Sequence, residues 1–244
     1  MNESQTIGFV TGATGYTGRE VVRQLIVPMD SVVAHVRPDS KDVARWTHDF
    51  GELGAQIDTT AWTIEAFAET FGFLRPTHIF SLLGTTRSRG KKGSGSSVED
   101  TYEAVDYGLT VLQIEAARMA GITPTFVYLS SMGANDSKTN AYMRVRWRVE
   151  QALQQSALPS VIARPSLIVG PDRDEPRPWE MVGSKLLDMA LKGAGMVGAR
   201  KLDNRYRSTT NGELAAALVR LGLDPACANQ IFESDALRAS PPKR

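Results

Sequence analysis

The stretch FVYLSSMGANDSKTNAYMRVRWRVE carries two serines, a tyrosine and an arginine whose types and spacing suit carbonyl chemistry. Ser130 and Ser131 close the apolar run Phe126 to Leu129, Tyr142 comes eleven residues after the second serine, and Arg146 four residues after that. Carbonyl reduction needs a hydride donor and a proton donor for the carbonyl oxygen. A free tyrosine, with a pKa of about 10, exchanges protons poorly at neutral pH. A nearby cation favours the phenolate and corrects this. Residues at i and i+4 share a helix face, so Tyr142 and Arg146 can face one cofactor. Arg144 and Arg148 fall off that face. A serine at a strand end can hydrogen-bond the substrate oxygen; Ser131 is preferred, with Ser130 as the alternative. Arg146 carries a permanent charge and can donate to ribose hydroxyls, but it cannot relay a proton. The plainer alternative is a basic, solvent-facing helix with a tyrosine that merely packs.

A second candidate lies near the N-terminus. TGATGYTGRE holds Gly12, Gly15 and Gly18 between an apolar run and an amphipathic segment. Glycines there permit a tight turn, close approach of a pyrophosphate, and close helix–strand packing, in that order. The helix that follows offers N–H groups and the positive end of its dipole to phosphates, with Thr14, Tyr16 and Thr17 in the same loop. The next apolar run, SVVAHVRPDS, has no acid from 33 to 38 and places Arg37 where a ribose 2′-phosphate would lie, so NADP(H) is preferred over NAD(H). Asp39 follows closely enough to face the ribose instead. Asp58, after a third short run, suits either an adenine contact or a turn.

The elements that must position these residues alternate. Strands are expected over TIGFVTG, SVVAHV, GAQID, THIFSLLG, TFVYLSS, SVIARPSLIVG and NQIFES. Helices are expected over GREVVRQLIV, IEAFAETFG, the long segment from Ser97 to Gly121, AYMRVRWRVEQALQQS and NGELAAALVRLGL. This predicts a doubly wound, mostly parallel α/β sheet with helices on both faces, and a small C-terminal substrate-side region. The 244 residues are expected to form a single Rossmann domain, 1–244, with 171–210 as an irregular substrate-side segment. The basic, Gly-rich loop Gly84 to Asp100 is either a surface loop or a lid that orders on an anionic ligand.

Composition removes other classes. The formal net charge is +1, which calls for neither nucleic acid nor an anionic membrane. One cysteine, Cys227, excludes an internal disulfide, and His35, His48 and His78 show no metal spacing. No apolar run approaches a membrane span, and no signal core opens the chain, so a cytoplasmic location is expected.

Together these motifs resemble the short-chain dehydrogenase/reductase superfamily in its atypical branch, and most of all the Tat-interacting-protein-like oxidoreductases. The resemblance covers about two-thirds of the chain, Ile7 to Trp179, and rests on TGATGYTGR, LLGTTR, YLSSMGA, YMRVRWRVE, ARPSLIVG and DRDEPRPWE. It implies an NADP-binding domain in which Leu83, Gly84 and Thr85 line the cofactor, Pro165 closes over the nicotinamide, and Tyr142 is the catalytic acid/base. The superfamily normally carries lysine where Arg146 stands. Three functions follow in order of preference. The first is an NADPH-dependent oxidoreductase acting on a small carbonyl compound, working as monomer or homodimer, with Arg173 and Arg177 as candidates for an acidic substrate group. The second is a non-enzymatic NADP(H) sensor that docks to a partner. The third is a sugar-nucleotide epimerase or dehydratase, for which the chain is short.

Overall fold

The computed structural model describes residues 5–84, 102–166, 168–169 and 209–238. The chain runs β1 (Ile7–Thr11), α1 (Tyr16–Leu25), β2 (Ser31–His35), α2 (Val43–Glu52), β3 (Gln56–Asp58), α3 (Ile64–Leu74) and β4 (His78–Ser81). A π-helical turn, Tyr102–Gly108, leads into α4 (Leu109–Met119), then β5 (Thr125–Leu129), α5 (Ala141–Gln155) and β6 (Ser160–Arg164). After β7 (Ile168–Val169) come β8 (Thr209–Thr210), α6 (Asn211–Leu223), a 3-10 turn at Pro225–Cys227, β9 (Gln230–Glu233) and α7 (Ser234–Arg238).

The main sheet has seven strands in the order β3-β2-β1-β4-β5-β6-β9. Every neighbouring pair is parallel, from Ile7 beside Ser31 to Arg164 beside Glu233. A parallel sheet of this kind is covered on both faces, so its strands read as apolar runs rather than alternating ones. Successive residues nonetheless feed opposite layers, because side chains alternate across a strand. Phe9, Val33, Ile79 and Phe126 pack with Phe67 and Phe71 of α3, Ile114 of α4, and Val149 and Leu153 of α5. Val10, Val32, Phe80 and Val127 pack with Val21, Val22 and Leu25 of α1, Phe50 of α2, and Leu214 and Leu218 of α6. Each such side chain stabilises the fold by about 1.5–3 kcal/mol relative to exposure. The doubly wound α/β fold is the one the sequence predicts.

Helix starts follow their cap residues. Thr63 accepts from Ala66 N at 3.2 Å to open α3, and Asn140 accepts from Met143 N at 3.2 Å to open α5. Thr210 and Glu213 form a reciprocal capping box on α6. The N-terminus of α1 at Gly15 has no side-chain cap and no acid in its first turn.

Three elements depart from expectation. The helix α2 was not foreseen, because VARWTHDFGE buries only Phe50 fully. The long expected strand after Pro159 ends at Arg164, where Pro165 lacks the N–H needed to continue a ladder. Its remainder, Ile168–Val169, pairs instead with Thr209–Thr210 in a separate two-stranded sheet. Within the described residues, the long expected helix begins as a π turn rather than α-helix. Among the described residues no helix is long and apolar enough to cross a membrane.

Candidate functional site

The chain reverses its winding direction between β1 and β4, and the crevice at the carboxyl ends of these strands is where a doubly wound sheet binds ligands. The glycine loop sits there. Gly12 adopts φ +72°, and a Cβ on it would lie 2.7 Å from the Leu82 carbonyl oxygen. On Gly18 a Cβ would lie 2.1 Å from the Gly12 carbonyl oxygen, so only glycine lets α1 start so close to β1. Gly15 N donates to Gly12 O at 2.9 Å and closes the turn. Thr14 is half-buried, while Tyr16 and Thr17 open α1. Asn211 of α6 donates to the Tyr16 carbonyl at 2.9 Å and so steadies the loop from a second helix. Below the loop, buried Thr11 donates to Gln113 Oε1 at 3.0 Å.

Leu83 and Gly84 follow β4 and are half-buried. Thr85, the remainder of the basic loop, Arg173, Arg177 and nearly all of 171–210 lie outside the described residues. Arg37, exposed at the end of β2, stands 3.5 Å from Asp39. Asp58 is engaged in its own turn, accepting from Thr60 N at 3.1 Å and Thr60 Oγ1 at 2.7 Å. Behind it, buried His35 lies 2.9 Å from the Thr60 carbonyl through Nε2. Burial pushes His35 below the usual histidine range, against smaller opposing effects from the Thr60 carbonyl and Asp58.

The two serines divide their roles. Ser130 is buried and donates to Glu150 Oε1. Glu150, fully buried, is also gripped by Arg164 through Nε at 3.0 Å and Nη2 at 2.5 Å, and Arg164 reaches Glu233 at 3.1 Å. The Glu150 hydrogen bond is the largest influence raising the Arg164 pKa. Ser131 is half-buried, and among the described residues its hydroxyl has only a long 3.4 Å contact to the adjacent Met132 carbonyl. Met132 N donates to the Pro165 carbonyl at 3.0 Å, which ties the serine loop to the segment after β6.

Arg146 is where the structure adds most. It is 3% exposed. Its Nη1 donates to the Tyr128 hydroxyl at 3.1 Å and the Leu129 carbonyl at 2.8 Å; its Nη2 donates to the Leu83 carbonyl at 3.2 Å and to Asp106 Oδ1 at 2.6 Å. All four Nη hydrogens are thus matched, while the buried Nε–H has no partner among the described residues. The guanidinium carbon lies 5.2 Å from the centre of the Tyr142 ring, so these two do share one face of α5. A Cβ on Gly84 would come within 3.0 Å of Arg146 Nη2, which keeps that position small. Burial works against the charge, but Tyr128, Tyr142 and Asp106 more than offset it and hold the Arg146 pKa well above its ordinary value. Burial likewise pushes the Tyr128 phenol up, only partly countered by Arg146.

Sequence reasoning did not identify Asp106, Tyr128, Glu150 or Arg164. Glu150 could have been found, since it continues the i, i+4 series of Tyr142 and Arg146. Asp106 gave a weaker signal, an acid inside an amphipathic helical pattern.

The residues fit a dinucleotide on two observations: a cradle with no room for Cβ atoms, and a buried donor left without an acceptor. Comparison with known proteins agrees at family level. A model of the NAD dependent epimerase/dehydratase family matches residues 9–221. The mitochondrial protein fmp52 of Emericella nidulans is 36% identical over 180 residues, 70% of each chain. That of Aspergillus niger is 31% identical over 77% of this chain and 74% of its own. The UDP-Glc/GlcNAc 4-epimerase of Campylobacter jejuni superposes with TM-score 0.65 at 15% identity, over 96% of this chain and 82% of the epimerase. The relatives are mitochondrial by name, and this overturns the expectation of a cytoplasmic location.

Proposed function

Given that the chain belongs to the NAD dependent epimerase/dehydratase family, we propose that it is an NADP(H)-dependent oxidoreductase acting on a small carbonyl compound. The observation that carries this reading is the Gly12–Gly18 cradle at the uncapped start of α1, in the crevice beside half-buried Tyr142 and buried Arg146. The helix N-terminus and the loop N–H groups of Thr14 to Thr17 would hold the pyrophosphate. Arg37 would face the 2′-phosphate, and Leu83, Gly84 and Pro165 would flank the ribose and nicotinamide. When bound, the dihydronicotinamide supplies a hydride for the carbonyl carbon.

The chain's own residues do the rest. Ser131, whose hydroxyl has no strong partner among the described residues, holds the substrate oxygen. Tyr142 delivers a proton to that oxygen from its phenol. Ser130 is the steadier of the two serines, and through Glu150 it locks the end of β5 to α5. Arg146 fixes the ends of β4 and β5 and leaves its Nε–H for a ribose hydroxyl. Pro165 and the Met132 contact close the nicotinamide side against water.

NADPH and NADH titrations followed by ligand fluorescence, with an Arg37→Ala variant, test the cofactor assignment. Micromolar NADPH binding, weaker NADH binding and loss of that preference in the variant are expected. No binding of either overturns the assignment. Turnover abolished by Tyr142→Phe is the expected second result, and unchanged turnover overturns the proton-donor role.

The commitment of all four Nη hydrogens to the protein favours a second reading, a cofactor-binding sensor without turnover. That reading expects tight NADP(H) binding, no reaction across a carbonyl panel, and a partner whose affinity differs between cofactor states.

A further inference from the structure

Arg37, taken as the 2′-phosphate contact, puts the base of the dinucleotide over the carboxyl ends of β2 and β3. There Asp58 closes β3, opposite His35 of β2 in the parallel ladder. Its carboxylate is not free to turn. Thr60 N donates to Oδ2 at 3.1 Å, and Thr60 Oγ1 donates to Oδ1 at 2.7 Å. That hydroxyl has a single hydrogen, committed to Asp58, so in its 2.8 Å contact with the Thr70 hydroxyl of α3 it is the acceptor. A carboxylate offers about four lone-pair sites, of which Thr60 occupies only part. The Asp58 side chain is 15% exposed, so an edge of it stays open to a further donor.

His35 holds this turn from the buried side. Its side chain is 1% exposed, and its Nε2 lies 2.9 Å from the Thr60 carbonyl oxygen. A carbonyl only accepts, so Nε2 carries the hydrogen and the ring is fixed as the Nε2–H tautomer. Rings close on it from β1, the turn and α3: Phe9 at 6.2 Å, Trp62 at 4.6 Å and Phe67 at 5.2 Å between centroids. Trp62 follows Thr60 by two residues and stacks on Phe67 at 4.7 Å, so the turn is fastened at both its carbonyl and its next ring. Burial lowers the His35 pKa against smaller raising effects of the Thr60 carbonyl and Asp58, and the ring stays neutral near pH 7. At 3.8 Å from Asp58 Oδ2, His35 makes no hydrogen bond to the carboxylate and does not compete for it.

Resting on the reading of this crevice as a dinucleotide site, we propose that His35 is a positioning residue that selects the base: through the Thr60 carbonyl it fixes the turn that aims Asp58, and the aimed carboxylate accepts from an exocyclic amino group. The ligand class is an adenine dinucleotide. A base with a carbonyl in place of that amino group is disfavoured, because two acceptors then face each other with no proton between them. The histidine touches neither base nor substrate and acts only through Thr60 and Asp58.

The test uses the full chain and two fluorescent probes: NADPH and its reduced hypoxanthine analogue, in which a ring carbonyl replaces the 6-amino group. Wild type binds NADPH the more tightly by about tenfold or more, the worth of one hydrogen bond to a charged acceptor. His35→Leu removes the donor to Thr60, and NADPH affinity falls toward that of the analogue, whose own affinity is unchanged. His35→Gln places an amide N–H where Nε2 stood and restores the preference. A purely structural histidine would weaken both probes alike and keep their ratio, and that result overturns the proposal. A ratio preserved in Asp58→Ala puts the base elsewhere and also overturns it. Where His35→Leu fails to fold, Thr60→Val removes the Oγ1 hydrogen bond to Asp58 while keeping the Thr60 N–H and carbonyl; a lowered ratio is expected, and an unchanged one overturns the proposal. Nitrogen-15 NMR of the ligand-free chain near neutral pH, with the His35 signals assigned by their loss in His35→Gln, is expected to show the Nε2–H tautomer. An Nδ1–H or doubly protonated ring overturns the positioning role. Equal affinity of wild type for the two probes overturns base selection and leaves the NADP(H) reading standing, whereas binding of neither overturns both.

Discussion

Gly18→Ala probes how closely α1 must approach the turn that precedes it. The added Cβ would lie 2.1 Å from the Gly12 carbonyl oxygen and 2.8 Å from Ala13 Cα. Both are backbone atoms, and neither can swing away as a side-chain tip can. Restoring ordinary contact requires the first turn of α1 to move by about 1 Å relative to the loop, in a core packed at crystal-like density. Overpacking costs typically 1–3 kcal/mol. With backbone on both sides, the upper end applies. About 3 kcal/mol lowers the folded-to-unfolded ratio roughly a hundredfold. For a chain of this size it lowers Tm by about 6–12 °C. The same displacement moves the helix N-terminus away from the phosphates, so NADPH affinity falls together with stability. A circular-dichroism melt and an NADPH fluorescence titration on one preparation measure both. If Tm stays within about 2 °C of wild type and NADPH binding is unchanged, the close approach is not a constraint and the cradle loses its role.

Gly72→Ala is the counter-case. Its Cβ would meet nothing within 4 Å inside α3, so the change raises stability by about 0.5–1 kcal/mol, read as a higher Tm. Phe71→Ala empties the contacts to Phe9 at 5.2 Å and Phe67 at 5.5 Å and costs about 3–5 kcal/mol in denaturant unfolding. Burial lowers the pKa of both His35 and His78, so their neutral forms favour the folded state. Their contribution is fully present above about pH 6.5, the unfolded value, and is lost as pH falls through the depressed folded values. Melts between pH 8 and 5 should show this loss, and His35→Gln should flatten part of it. Glu20 and Asp30, lowered by hydrogen bonds from Arg23 and Thr6 respectively, add a separate loss at lower pH, below about 4.5. An epimerase regenerates its cofactor within each cycle, so stoichiometric nucleotide surviving purification would redirect the substrate search to sugar nucleotides.

The alternation of apolar runs and amphipathic segments made the doubly wound sheet legible, because burial on both faces leaves little choice of residue in β1, β2, β4 and β5. The glycine loop was legible because its positions are set by backbone sterics that only glycine satisfies. The helix α2 was not, since a helix that fully buries one residue leaves almost no periodic trace. At the site, the spacing of Tyr142 and Arg146 gave their shared face. It could not give the counter-ion, which comes from a π turn some 40 residues earlier and meets Arg146 only through tertiary packing. Ser131 was preferred over Ser130 only narrowly, because adjacent serines read nearly alike as letters. They differ because a strand end turns one hydroxyl toward Glu150 and leaves the other at the surface of the crevice.

The placement of α6 and β9 has a consequence for synthesis on the ribosome. The layer beneath the phosphate loop is completed by Leu214 and Leu218 of α6, and the open edge of β6 is covered by Gln230–Glu233. Until those residues emerge, the nascent chain displays the apolar face of α1 and an unpaired strand edge, the surfaces most prone to aggregate. The segment from Arg164 to Glu233 takes about 4–14 s to translate at ordinary elongation rates. During that interval the first six parallel strands wait for a lid and a flank that arrive last. Early release of the chain after Leu223 would leave one edge bare and favour chaperone capture over folding.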